Sequence, residues 1–379
     1  PSEGTVYRVG EEVVHKKDGE IGVTARYDNG TTKTVTGTIT TDTSTLTQSA
    51  GIGKKVTVSY TEGDTRKEAT FAVDVASYQF TETVQNVDSS YAGTMTGETY
   101  KKFGDWPQII KKEGVEIGAG TLVRGGLTYH VGSDGNYYVK AEENACAAGY
   151  KYSDDSEVKQ KDEGSSPSTQ WFKVEPIVWR VLTTSYKAPE GGTAGNALLL
   201  AESILTGGKP YYHFDREGGG LGGMEWRGPR IIGGKIIHPN NYEHSQIRAW
   251  LNGLSYQSKE SEGATQSSKD EYKNAGFLQT AFTESARDLI ADTTVNNSAA
   301  STFGTGESTQ ENPYVCGKTT DKIFLLSQQE ATNSEYGFGA YSEEDSARIR
   351  VTTDYAEATE AYQNIIEGYG GWWWLRSPR

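Results

Sequence analysis

The chain closes on Gly371-Trp372-Trp373-Trp374-Leu375-Arg376-Ser377-Pro378-Arg379, and this stretch limits what the preceding residues can fold into. Three of the eight tryptophans stand side by side here, after the turn-like Glu367-Gly368-Tyr369-Gly370-Gly371. An aromatic and aliphatic run leaving a glycine loop reads as a buried strand. Side chains alternate along a strand, so Trp372 and Trp374 share one face and Trp373 takes the other. Both faces then need cover, because a solvated edge strand would not carry three indoles. A domain whose final residues form its central strand is unusual, so the chain is expected to be cut short on its C-terminal side.

The 379 residues suggest two or three domains. Hydrophobic residues make up 35%, but 23 Tyr and 8 Trp let an aromatic core be large where aliphatics are few. The 51 acidic residues outnumber the 37 basic ones, for a net charge of −14, which argues against nucleic acid and anionic membrane surfaces as partners. Forty-five glycines and two methionines suit a loop-rich extracellular β protein. No apolar run approaches the roughly 20 residues of a membrane helix. The polar start at Pro1 leads us to expect any export signal or lipid-bearing cysteine upstream. Cys146 and Cys316 allow one disulfide at most; with nothing local to pair them, two free thiols are the simpler expectation.

Residues 1–77 alternate. Val23, Ala25 and Tyr27 lie at period two, Asp28-Asn29-Gly30 supplies a hairpin turn, and Thr32, Thr34 and Thr36 follow. Val56, Val58 and Tyr60 alternate again, Glu62-Gly63-Asp64 turns, and Ala69, Phe71, Val73 and Val75 end the unit. Short strands with regular turns predict an all-β sandwich. With Tyr7, Gly10-Glu11, Ser49-Ala50-Gly51 and Val56-Thr57-Val58-Ser59-Tyr60, the stretch resembles the bacterial immunoglobulin-like domains of surface adhesins. The resemblance implies a spacer.

Residues 78–99 are polar and read as a linker, and a second domain is expected over 100–379. Leu127, Tyr129 and Val131, a turn at Ser133-Asp134-Gly135-Asn136, and Tyr137-Tyr138-Val139-Lys140 predict a hairpin. Asp134 and Asn136 begin a calcium-loop spacing that no later acid completes, so they are read as a turn. Trp171 to Leu182 reads as an aromatic strand pair broken at Pro176, answered by a buried strand at 197–201. Ser245 caps a helix in which Ile247, Trp250, Leu251 and Leu254 fall at i, i+3, i+4 and i+7, with Gly253 near its stop. Further helices are predicted from Thr283, with Ala286, Leu289 and Ile290 inward, and from Asp354 to Gln363. Another follows a strand at Ile323-Phe324-Leu325-Leu326 and starts at the capping box Ser327-x-x-Glu330. Glycine-rich loops lie over 207–234 and 297–312, of a length that in compact domains is either functional or disordered.

Four motifs in order carry a second resemblance: Phe172-Lys173-Val174-Glu175-Pro176-Ile177-x-Trp179-Arg180-Val181-Leu182, Asn241-Tyr242-x-His244-Ser245-x-Ile247-Arg248-x-Trp250-Leu251-Asn252-Gly253, Asp321 to Ser327, and Gly371 to Pro378. Residues 100–379 are thereby similar to the C-type-lectin-like variable proteins of Treponema-type diversity-generating retroelements. The resemblance implies an α+β lectin-like fold on a surface lipoprotein that binds varied protein or glycan ligands. In that family the diversified positions follow the W-W-L-R-S-P motif, so the contact residues are expected beyond Arg379.

The remaining candidates are weighed against plainer roles. His15, His130, His213, His238 and His244 form no metal-ligand spacing, and no metal or other cofactor is expected. Ser245 lacks a G-x-S-x-G frame. Gly218 to Gly223 lacks a following Lys-Ser/Thr, and Glu343-Glu344-Asp345 reads as a solvated run. Neither an E-P-N or Q-P-D triplet nor a W-N-D occurs, so calcium-dependent sugar binding is not expected. No catalytic residue is assigned. The binding candidates are Trp372, Trp374 and Arg376, each read first as structural: the indoles as core, the guanidinium as partner to buried carbonyls. The alternatives are an enzyme resembling the formylglycine-generating oxidases, which would need Cys146 and Cys316 to converge, and a structural cell-envelope protein.

Overall fold

Period-two alternation builds the N-terminal unit in the computed structural model, which describes residues 2–13, 20–161, 166–187, 195–209, 230–232, 235–237, 241–258, 267–298, 302, 316–341, 345–364 and 369–377. Five strands, β1 (Val6–Arg8), β2 (Glu20–Arg26), β3 (Thr32–Ile39), β4 (Gly51–Glu62) and β5 (Thr65–Ala76), hydrogen-bond in the order β1-β5-β4-β3-β2. The unit is all-β, as expected, but its strands form one continuous path where two separate sheets were expected. The path is thin at one point: β3 pairs with β4 only at Thr38–Ser59 and Ile39–Val58. Tyr7, Val13, Leu46, Val56, Val73 and Val75 fill the core.

The second unit is organised on a larger sheet. Its strands are β6 (Gln85–Asn86), β7 (Tyr100–Ile110), β8 (Ile117–Arg124), β9 (Leu127–Gly132), β10 (Tyr137–Glu142), β11 (Thr169–Thr183) and β12 (Leu198–Ala201), in the order β6-β7-β11-β10-β9-β8 with β12 on β11. The expected break at Pro176 is absent. Residues Thr169–Thr183 form one 15-residue strand whose register against β7 shifts on both sides of the proline. β10 pairs with β11 up to Lys173 and the pairing with β12 begins at Trp179, so Pro176 faces a gap where its missing N–H breaks no ladder bond.

Residues 78–99, expected as a linker, are strapped to this sheet. Asp105, fully buried, accepts from the Tyr78 hydroxyl at 2.8 Å and from Thr81 N and Oγ1, each at 2.9 Å. Phe80 stacks on Tyr137 at 5.0 Å, and β6 pairs with Lys101 and Lys102. Burial raises the Asp105 pKa in spite of these bonds.

Helices pack against the sheet: α1 (Thr43–Leu46) in the first unit, then α2 (Gln246–Asn252), α3 (Phe277–Ala281), α4 (Glu284–Asp288) and α5 (Asp354–Ala358) in the second. Ser245 caps α2 by accepting from Arg248 N, and Gly253 stops it in the left-handed region at φ 66°. Thr283 caps α4 as the sequence predicts, but the helix ends at Asp288, so Leu289 is exposed and only Ala286 is fully inward. The box at Ser327 and Glu330 forms reciprocally, Glu330 Oε2 accepting from Ser327 N at 2.8 Å and Ser327 Oγ from Glu330 N at 3.1 Å. It starts only a single 3-10 turn, and the strand expected at 323–326 lies instead at Lys318–Asp321. Among the described residues no helix is long and apolar enough to cross a membrane.

The two units meet through backbone as much as side chain. Asp74 of β5, 2% exposed, accepts from Gly53 N and from Gly120 N of β8, both at 2.7 Å. A Cβ at Gly118 or Gly120 would come within 2.2 or 2.7 Å of its Oδ2, so only glycine admits this approach. Gly135 O accepts from Ser77 N and Tyr78 N at 2.9 and 3.1 Å. Asp74→Ala removes the acceptor of two amides; chemical denaturation should register a loss of about 2–4 kcal/mol, since each buried donor left unsatisfied costs about 1–3 kcal/mol. Limited proteolysis should then cut near residue 77, where the parent protein resists.

Candidate functional site

The terminal segment departs from the buried strand expected of it. A short strand at Tyr369–Gly371 pairs with Gln363–Asn364, and Trp372 to Leu375 continue extended without ladder bonds. The alternation holds: Trp373 turns inward and its Nε1 donates to Arg348 O at 3.1 Å. The burial does not. Trp372 is 72% exposed and Trp374 48% exposed, which corrects the expectation that all three indoles are core. The physical reason is that Trp373 and Leu375 pack on the cluster of Leu326, Ala331, Phe338 and Ala347, while Trp372 and Trp374 look over a cleft that Trp373 also borders.

Arg376 anchors this arrangement. It is fully buried, donates from Nη1 to Leu325 O at 2.7 Å, and forms an ion pair with Glu330 Oε2 at 2.5 Å. Its backbone N–H donates to Leu326 O at 3.0 Å, while Ser377 Oγ accepts from Gln328 N at 2.9 Å. Buried behind this network, Arg376 is out of a ligand's reach. Burial alone would raise the Glu330 pKa, but the Arg376 guanidinium, with bonds from Ser327 and Tyr186, holds it below the ordinary value.

The cleft has a volume of about 1080 Å³ and is lined mainly by apolar groups. Trp179 of β11, whose Nε1 donates to Phe103 O at 2.7 Å, borders it together with Trp250 of α2, Phe277 of α3 and Phe282. Phe277 lies 5.5 Å from Trp250 and 6.0 Å from Phe282, centroid to centroid, so these rings form one aromatic wall. At the mouth Trp372 leans on Tyr362, with centroids 4.4 Å apart. Tyr362 reaches it because α5 stops at Ala358 and Glu360 turns the chain at φ 69°. That left-handed turn is held by Ala361 N donating to Ala356 O at 2.9 Å and by the Glu360 carboxylate accepting from Asn144 Nδ2.

Few polar groups enter. Lys209 Nζ sits 5.2 Å from the Trp250 ring centroid, and burial lowers its pKa, opposed by the more distant Glu271. Lys322 is occupied by the carbonyls of Arg287 and Ile290. Cys146 lines the cleft and Cys316 does not; neither forms a disulfide. Burial, helped by Glu360, raises the Cys146 thiol, and burial, with Glu243 adding to it, pushes Cys316 up to about 11. Neither thiol is therefore poised as a thiolate at neutral pH.

The other candidates sort plainly. Asp134 accepts from Asn136 N and Nδ2 at 3.1 and 2.8 Å, closing a turn. His130 packs edge-on to Trp171 at 4.9 Å, and His244 closes a 3-10 turn capped by Asn241. No group of three metal-ligating side chains is gathered among the described residues. His15, His213, His238, Gly218 to Gly223, Glu343, Glu344, Pro378 and Arg379 lie outside the described residues, as do most of the two glycine-rich loops. Lys209, Tyr362 and α3 were missed from sequence, although Phe277, Leu278, Ala281 and Phe282 carry a helical i, i+1, i+4, i+5 pattern.

Residues 194–379 match the family model described as a domain of unknown function (DUF6273). No curated protein and no solved structure matches the chain. The matched region holds β12, α2 to α5 and the three indoles, while Phe103 and Trp179 of the cleft lie before it.

Removing Arg376 should be costly, because it leaves Glu330 buried and unpaired: Arg376→Met is expected to lose about 3–5 kcal/mol in denaturant unfolding. The folded Glu330 pKa is depressed, so its stabilisation is complete at neutral pH and is lost as pH falls from the unfolded value of about 4.3 through the folded one. A stability profile across that acid range should be flatter for Glu330→Gln than for the parent chain.

Proposed function

We propose that this chain is an exported ligand-binding protein, in which an immunoglobulin-like module carries a C-type-lectin-like head and the aromatic cleft of that head takes the ligand. The observation that carries the reading is the solvent-facing Trp372, seated on Tyr362 at the mouth of a cleft walled by Trp250, Phe277 and Phe282. Clefts that bind ligands are apolar and aromatic with a few placed polar groups, and Tyr and Trp offer large rigid contact at small entropic cost. Lys209 and Glu360 supply the polar groups here. The order of the four motifs supports likeness to the diversity-generating-retroelement variable proteins and, with it, a lipid-anchored surface location.

This reading differs in one respect from the expectation that the indoles are core and the contact residues follow Arg379. Trp372 and Trp374 face solvent beside the cleft, and in this reading the recognition role rests on the cleft they border. The oxidase-like alternative has Cys146 in the cleft in its favour, and the raised pKa of both thiols against it.

An oligosaccharide array and a panel of immobilised secreted proteins would test the proposal. Saturable binding to a member of either panel is expected, weakened at least tenfold, about 1.4 kcal/mol, by Trp372→Ala or Tyr362→Ala. Trp372→Ala should leave thermal unfolding nearly unchanged, since surface substitutions usually shift stability by about 0.5 kcal/mol or less. Absence of saturable binding to both panels, or binding indifferent to both substitutions, would overturn it.

A further inference from the structure

Behind the cleft wall two buried arginines lie near each other: Arg180, over the Phe338 ring, and Arg350, whose charge Arg180 opposes. Arg180 is fully buried on β11, where it pairs with Tyr100 of β7 and Leu200 of β12. Arg350, 2% exposed, precedes Val351, which pairs in parallel with Ser203. Glu202 precedes Ser203, so this register sets Glu202 beside Arg350, and both lie next to the strand end that carries Arg180.

The hydrogen bonds of this cluster do not close. Among the described residues, Arg180 Nε, Nη1 and Nη2 and Arg350 Nε and Nη2 have no acceptor. Arg350 Nη1 donates to Ile349 O at 2.7 Å, and the Arg180 guanidinium lies over the Phe338 ring at 5.0 Å. Buried guanidinium groups almost always find acceptors, because a donor stripped of water and left alone is costly. Charge does not close either. Among the described residues two guanidinium groups face one carboxylate, Glu202, whose Oε1 is occupied by Thr94 N and Oγ1 and whose Oε2 has no donor. The next acid, Asp345, is spent on Gly339 N, Ala347 N and Arg348. Water could satisfy the donors but would leave a net positive charge in the interior, at a cost of several kcal/mol. Burial, and then the charge of Arg180, lower the Arg350 pKa to about 10.

We propose that Arg180 and Arg350 hold a small monovalent anion of the halide class, chloride in ordinary media, inside the head. One negative charge balances the cluster, and a compact acceptor without directional demands suits five unpaired guanidinium nitrogens. The anion is structural: it ties β11 and β12 to the segment that precedes the indole run, at a site independent of the cleft and its ligand.

Thermal unfolding of the full chain in sodium chloride, bromide, sulfate and gluconate at equal ionic strength tests this. The midpoint should rise with halide by about 2–4 °C per tenfold increase once the site is saturated, and not with gluconate. Arg350→Gln should abolish the halide dependence. Should that variant fail to fold, crystals of the unaltered chain grown in bromide decide, with an anomalous peak expected beside both guanidinium groups. Equal midpoints in chloride and gluconate, a rise confined to sulfate, or bromide-grown crystals showing only water there would each overturn the proposal.

Discussion

The ion pair between Arg376 and Glu330 holds the terminal segment of the head in place, and the geometry of the cleft follows from it. Glu330 also closes the capping box at Ser327 and accepts from the Tyr186 hydroxyl at 2.7 Å, so one buried carboxylate joins three parts of the chain. With Arg376 fixed, Trp373 is drawn inward to Arg348 O, and alternation obliges Trp372 and Trp374 to look the other way. A buried pair of this kind contributes modest net stability, because desolvation offsets most of the attraction, but it strongly penalises any arrangement that separates the partners. Its effect is to specify where the indoles stand.

The same logic runs through the rest of the head. Asp105 gathers Tyr78 and Thr81, Asp321 receives Arg248 at 2.9 Å, and Asp354 accepts from Ile110 N and Ser153 N, each at 2.8 Å. Each acid is buried and each is reached from a distant part of the sequence. They hold in register loops that have few aliphatic side chains to pack, and aromatic rings supply most of the apolar contact. The cleft lies where these loops converge, with rigid strands and short capped helices behind it, an arrangement suited to holding binding side chains in fixed positions.

Much of this was legible from local chemistry. The turns at Asn29 and Asp134, the caps at Ser245 and Thr283, the stop at Gly253 and the hairpin of β9 and β10 all lie where residue type and period put them. Less was legible where two non-local facts compete. Pro176 looks like a break until the partners on either side of β11 are known. Residues 78–99 look like a linker because the acceptor that fastens them, Asp105, is a lone acid in a strand. The cleft was not legible: Lys209 and Tyr362 have no motif, and Glu360 adopts φ 69° without the Gly or Asn that would announce it.

What the sequence by itself determined is the β-rich character, the alternation within each strand, and the helix starts set by caps, because these depend on neighbours a few residues away. It also determined that the three indoles divide between two faces. Which face is covered was decided only by tertiary structure, since the cover of Trp373 comes from Leu326, Ala331, Phe338 and Ala347, and the segment is held there by the buried Arg376–Glu330 pair. Burial belongs to the pair of surfaces that meet, and a single sequence shows only one of them at a time.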